Sequence, residues 1–131
     1  MISITILLII LFWHWLVDFV VQTDWQAKNK SIDNDALCTH TCVYALSWVV
    51  PLALIDVWTN LHTGHWAFTI PHVQVFILFT LIAHTITDYF TSRLNTHLWK
   101  KGDVHNFFVS VGFDQFLHYL QLIVTYQLLL G

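Results

Sequence analysis

Apolar residues run almost unbroken from Ile2 to Val21, and a comparable density returns over residues 36–58, 71–91 and 106–130. Each stretch is about 20 residues or longer, which at ~1.5 Å per residue reaches across a hydrocarbon layer about 30 Å thick. The pattern predicts an all-α integral membrane protein. Residues 1–131 form a single transmembrane domain in this reading, with four transmembrane helices in an antiparallel bundle joined by short loops. The opening MISITILLII has no positive residue and no small-residue cleavage pattern follows it, so the first helix is expected to stay rather than be removed as a signal peptide. The second stretch is the least clean, since Pro51 and Asp56 stand near its far end. Intramembrane proline is tolerated, and Asp56 would sit near the interface.

Composition sharpens the picture. The chain is 56% hydrophobic and 10% charged, with a mean hydropathy of +0.62, too few charges for a surface that faces water all round. Five Lys and Arg against eight Asp, with no Glu, give a net charge of -3 and no basic tract that could follow a nucleic-acid backbone. Nucleic acid is therefore not an expected partner; membrane lipids are. All five basic residues fall in two connections: Lys28 and Lys30 after the first stretch, then Arg93, Lys100 and Lys101 after the third. The positive-inside rule puts both connections in the cytoplasm and both termini on the non-cytoplasmic side, as in a bacterial inner-membrane protein. HWLVDFV at the end of stretch one and HTITDYF at the end of stretch three share an order of His, Asp and aromatic, which suggests two helical-hairpin repeats. Cys38 and Cys42 make no disulfide framework and read as buried small residues.

Nine His are unusual beside five Lys and Arg, because His supplies a neutral ligand or proton carrier within apolar surroundings. His14 with Asp18, His84 with Asp88, and Asp114 with His118 are each four residues apart, so each pair shares one helical face. Measured from the expected cytoplasmic ends, these pairs and His40 fall in one slab just inside the membrane. Lipid cannot hydrogen-bond them, so they are expected to turn inward and satisfy one another or an ion. The expected ligand set is His14, Asp18, His40, His84, Asp88, Asp114 and His118. A divalent metal suits mixed imidazole and carboxylate donors, zinc first, with Fe, Mn or Ni also open. Gln22, Thr23, Asp24, Gln26, Asn34, Thr39, Asp103, His105, Asn106 and Gln115 are candidates for a supporting polar rim, with plain loop polarity the preferred account of Asp24 and Asp103. His62, His65 and His72, on the far side, lack a fixing helix or a near carboxylate and make a weak second site.

At these residues the chain resembles a family of small integral membrane proteins of bacteria and their phages, known as domain of unknown function 3307. The likeness is carried by His14, Asp18, Phe19, Gln22, Thr23, Asp24, Trp25 and Lys30, then His40, then His84, Asp88 and Tyr89, and finally Phe113, Asp114, Gln115 and His118. It covers nearly the whole chain and implies a membrane location and a shared polar site, with no activity to carry over. Members often place a Lys or Arg directly after the aromatic residue of the third stretch; here Arg93 comes later.

Three functions fit such a set. The first is a metal-dependent hydrolase acting on a lipid-linked or phosphate-containing substrate, with Asp18, Asp114 and Gln115 as catalytic groups near the cytoplasmic side. The second is a structural or interaction protein, with an envelope protein as partner, whose site is a closed ion or a metal-free polar network. The third is an ion or proton carrier, which at 131 residues would have to work as a homo-oligomer.

Overall fold

The computed structural model describes residues 2–131, and every regular element among them is helical. Helix α1 (Ile4–Trp15) is capped by Ser3, whose hydroxyl accepts from Ile6 N–H, and runs directly into a π-helical turn over Leu16–Val20. In that turn Val21 N–H bonds the carbonyl of Leu16, five residues back, at 2.9 Å. A short helix α2 (Asp24–Asn29) follows, closed by a capping box between Thr23 and Gln26. Helix α3 (Asn34–Ser47) starts on an Asp33 cap and meets α4 (Val49–Thr63) at a joint on Trp48. The joint has a local cause: Pro51 has no N–H to give to the preceding turn, and its ring crowds the carbonyl four residues earlier. Helix α5 (Ile70–Lys101) then runs 32 residues to Gly102, whose φ of 76° lets the chain reverse at once into the Asp103 cap of α6 (Val104–Leu129).

Three segments are long and apolar enough to cross a membrane: Asn34–Thr63, Ile70–Lys101 and Val104–Leu129. The chain is a multi-pass integral membrane protein. The expected fourth span is not borne out. The N-terminal apolar helix covers Ile4–Val20 only, because Ser3 starts it late and the chain leaves helical geometry after Val20. Seventeen residues rise about 25 Å, less than the hydrocarbon thickness. With three spans, the expectation that both termini lie on the non-cytoplasmic side no longer holds. The expected hairpin repeats fare no better, since a 17-residue helix with a π turn and an unbroken 32-residue helix are not equivalent first arms.

Packing is inverted relative to a water-soluble bundle. Leu78, Phe79, Ile82, Ile86 and Phe90 on α5 point outward, while Phe76, Thr80, His84 and Asp88, spaced by four, form its buried stripe. The matching stripe on α6 is Asp114, His118, Leu122 and Tyr126. Each stripe is apolar at one end and ionisable at the other. The apolar ends meet α3 and α4 in a core of Ile10, Tyr44, Trp48, Leu52, Phe76 and Leu122. The ionisable ends converge on the side from which the α2–α3 and α5–α6 connections leave. Cys38 and Cys42 lie on the outer face of α3 as free thiols, exposed rather than buried.

Candidate metal centre

All seven expected ligands are buried, and they come from α1 with its π turn, α3, α5 and α6. Six of them gather into two donor groups. In the first, His40 Nε2 lies 3.0 Å from Asp18 Oδ1, 3.2 Å from His84 Nε2 and 3.3 Å from Asp88 Oδ2. His84 Nε2 is 3.5 Å from Asp18 Oδ1 and 3.7 Å from Asp88 Oδ2. In the second, His118 Nε2 lies 3.2 Å from Asp88 Oδ1 and 3.3 Å from Asp114 Oδ1. Asp88 belongs to both, with one oxygen turned to each.

Protons serve the carboxylates of the first group, from His40 to Asp18 Oδ1 and from Lys30 to Asp88 Oδ2, but leave its two facing imidazole nitrogens in competition. A ring nitrogen carries one N–H or one lone pair, so His40 Nε2 can serve one of its three close neighbours well. Two Nε2 atoms 3.2 Å apart share one proton at most, and two further carboxylate oxygens face the same point. A hydrogen bond joins two atoms, whereas a cation satisfies four donors at once. The cluster is thus able to chelate a divalent metal ion.

The seventh residue, His14, stands beside these groups. Its Nδ1 is 2.6 Å from the Tyr44 hydroxyl and its Nε2 is 2.8 Å from Gln115 Oε1, with Asp18 Oδ2 farther off at 3.7 Å. The Gln115 amide nitrogen faces Asp114 Oδ2 at 3.2 Å and Asp18 Oδ2 at 3.4 Å, both pure acceptors, which turns its oxygen toward His14. His14 Nε2 therefore donates, and Nδ1 accepts from Tyr44 O–H. Tyr44 also stacks on His84, ring centroids 3.8 Å apart and planes 11° apart, fixing that imidazole.

Three contacts to the cluster carry little sequence signal. Lys30 turns in from the α2–α3 connection and donates to Asp88 Oδ2 at 2.8 Å, with His40 Nε2 at 3.5 Å. Thr91 donates to Asp114 Oδ1 at 2.6 Å. Tyr44 was the most findable, since it follows His40 by four and shares its face. Burial opposes the Lys30 charge, but Asp88 and Asp18 outweigh it and hold the ammonium above its ordinary value of 10.5. Arg93 is engaged elsewhere: it lies over the Tyr89 ring, 3.7 Å from the centroid, and donates to Asn34 Oδ1 at 3.1 Å, tying α5 to the start of α3.

A cleft of about 590 Å³ reaches the cluster from the side of the basic connections. Asp18, Asp114 and Gln115 line it, together with Lys28, Lys30 and Lys100, while Phe19, Trp99, Phe107 and Phe108 give it an apolar flank. Gln22, Ser92 and Asn95 also line it, each with a buried side-chain oxygen that has no hydrogen-bond partner. On the opposite side His62, His65 and His72 are exposed, and no metal-ligating group forms around them among the described residues. His62 instead turns back to the Trp58 carbonyl at 2.7 Å.

Fold and site together define a multi-pass membrane protein with a buried His/Asp donor cluster. The chain matches the family described as a protein of unknown function, DUF3307, over residues 6–131, and it belongs to that family. No curated protein and no solved structure matches it.

Proposed function

We propose that this protein holds a divalent ion, zinc first, in its buried His/Asp cluster, and that the metal-loaded cluster hydrolyses a phosphate-bearing lipid at the cytoplasmic face of a bacterial inner membrane. The observation that carries the reading is the convergence of Asp18, His40, His84 and Asp88 on one point. A tetrahedron with metal–ligand bonds of 2.0–2.1 Å has edges of about 3.3–3.4 Å. The five donor–donor separations above, from 3.0 to 3.7 Å, bracket that length. Asp114 and His118 complete the ligand set beside it, and His14 acts through Tyr44 and Gln115 as a positioning residue.

The cleft supports a hydrolytic role. Its cationic rim of Lys28 and Lys100 suits a phosphate, its apolar flank suits the attached chain, and its unpartnered oxygens suit the hydroxyls of a headgroup. A bound ion would polarise a phosphoryl oxygen and lower the pKa of water. Asp114 turns Oδ1 toward His118 within the ligand set and Oδ2 toward the Gln115 amide at the cleft wall, so Oδ2 is the oxygen that takes the proton that water gives up in this reading. Asp18 and Gln115, also on that wall, orient the attacked group. All five basic residues lie at this end, which supports a cytoplasmic position by the positive-inside rule.

Full burial of the four donors favours a second reading, a closed ion that only braces the helices. One experiment separates the two. Protein purified in detergent is assayed for metal by elemental analysis, then added to vesicles containing phosphatidic acid to follow release of inorganic phosphate. Stoichiometric metal with release that falls at least 100-fold in Asp114→Asn supports hydrolysis. Metal without release leaves the bracing role, and a protein that takes up no metal at saturating Zn²⁺ overturns both.

A further inference from the structure

The two donor groups differ in a way that points to more than one ion. Asp88 is the only residue they share, and its oxygens are divided: Oδ2 faces His40 and His84, Oδ1 faces His118. A carboxylate placed in this way between two sets of imidazoles is the arrangement of a bridging ligand. Such a bridge holds two cations about 3.5–4 Å apart in two-metal hydrolytic sites. The first group offers four protein donors. The second offers three, Asp88, Asp114 and His118, and Asp114 lies on the cleft wall. Closed four-donor sites are the structural kind, and three donors with one open position are the catalytic kind.

We infer that the protein binds a pair of divalent cations bridged by Asp88, with the second ion held by Asp88, Asp114 and His118 and its open coordination position facing the cleft. The inference rests on the metal-binding reading above and extends it. Each helix then has a distinct duty. Helix α5 delivers the bridge together with His84, α6 delivers both remaining ligands of the second ion four residues apart, and the π turn and α3 complete the first. Thr91, at 2.6 Å from Asp114 Oδ1, and Gln115, at 3.2 Å from Oδ2, keep that carboxylate turned toward the second position.

The test is metal stoichiometry and magnetic coupling in the full chain, purified in detergent and loaded with Mn²⁺. Two ions per chain are expected, giving the broad electron paramagnetic resonance spectrum of an exchange-coupled pair. Asp114→Asn should leave one ion with the six-line spectrum of isolated Mn²⁺, and Asp88→Asn should lose the coupling altogether. If Asp114→Asn does not fold, as judged by tryptophan fluorescence, His118→Gln tests the same position from the other side. A single ion in the unmodified chain at saturating Mn²⁺ would overturn the second position while leaving the first intact. Two ions that stay in Asp114→Asn and His118→Gln would overturn the assignment of ligands, and no bound ion would remove the metal-binding reading itself.

Discussion

Lys30→Met removes a cation that sits on a proposed metal ligand, so it should tighten metal binding and weaken the metal-free fold. Lys30 Nζ is 2.8 Å from Asp88 Oδ2 with its side chain 18% exposed, a short and largely buried contact. A hydrogen bond between charged groups contributes about 1.5–3 kcal/mol net. An ion entering the first donor group must take Asp88 Oδ2 from the ammonium, so that energy is set against binding. At about 1.4 kcal/mol per tenfold, Lys30→Met should bind Zn²⁺ roughly 10- to 100-fold more tightly. Met keeps the unbranched stem, which limits loss of packing. The metal-free variant leaves Asp88 buried without its counter-charge, at a cost of up to about 3–5 kcal/mol, reduced here by access to the cleft. Competition with a chromophoric chelator at fixed pH measures the affinity, and thermal unfolding with and without Zn²⁺ measures the stability. Unchanged or weaker Zn²⁺ binding would refute the reasoning, because it would make Lys30 a support of the site and not a competitor for it.

Four further outcomes are expected. Tyr44→Phe deletes the hydroxyl on His14 Nδ1 while keeping the ring stacked on His84; because His14 stands outside both donor groups, metal affinity should fall by no more than about 10-fold with unchanged stoichiometry at saturation, by the same chelator competition. Asp56→Ala removes the acceptor of Ala67 N–H at 2.7 Å and Phe68 N–H at 3.0 Å, so proteolysis or hydrogen exchange in the loop before α5 should rise sharply while bound metal is unaffected. Gly102→Ala forces a β-carbon into left-handed backbone at φ 76° and should destabilise the α5–α6 hairpin by about 1–2 kcal/mol, seen as a lower unfolding midpoint. The Lys30 ammonium is held above its ordinary value of 10.5, so its stabilisation is full below that pH and is lost only as pH rises through the higher folded value. The stability gap between the unmodified chain and Lys30→Met should accordingly stay constant from neutral pH to about pH 10 and close above it.

Much of the site was legible because charge in an apolar helix has few explanations. Three i,i+4 pairs each marked one inward face, and His40 lay at their depth, so the residues that meet could be named before any packing was known. What escaped notice follows from physics that leaves no local trace. Lys30 lies in a polar connection, where a lysine meeting water and one meeting a buried carboxylate look alike. The N-terminal helix was overcounted because an apolar run does not say where the backbone stops being helical; Ser3 and the chain's exit after Val20 decide that. Burial of Cys38 and Cys42 was misjudged for a related reason, since in lipid a small apolar side chain is as comfortable outside as in.

The π turn over Leu16–Val20 is what a helix makes of one residue too many. Were the same residues to take ordinary α geometry instead, everything before them would swing by about 100° around the axis. The outward face of α1 is greasy on nearly every side, so insertion into the bilayer should survive that swing, while His14 would be carried away from Tyr44 and Gln115. One widened turn thus separates residence in the membrane from a joined polar cluster, and a chain without the extra residue would keep His14 in place with no such turn.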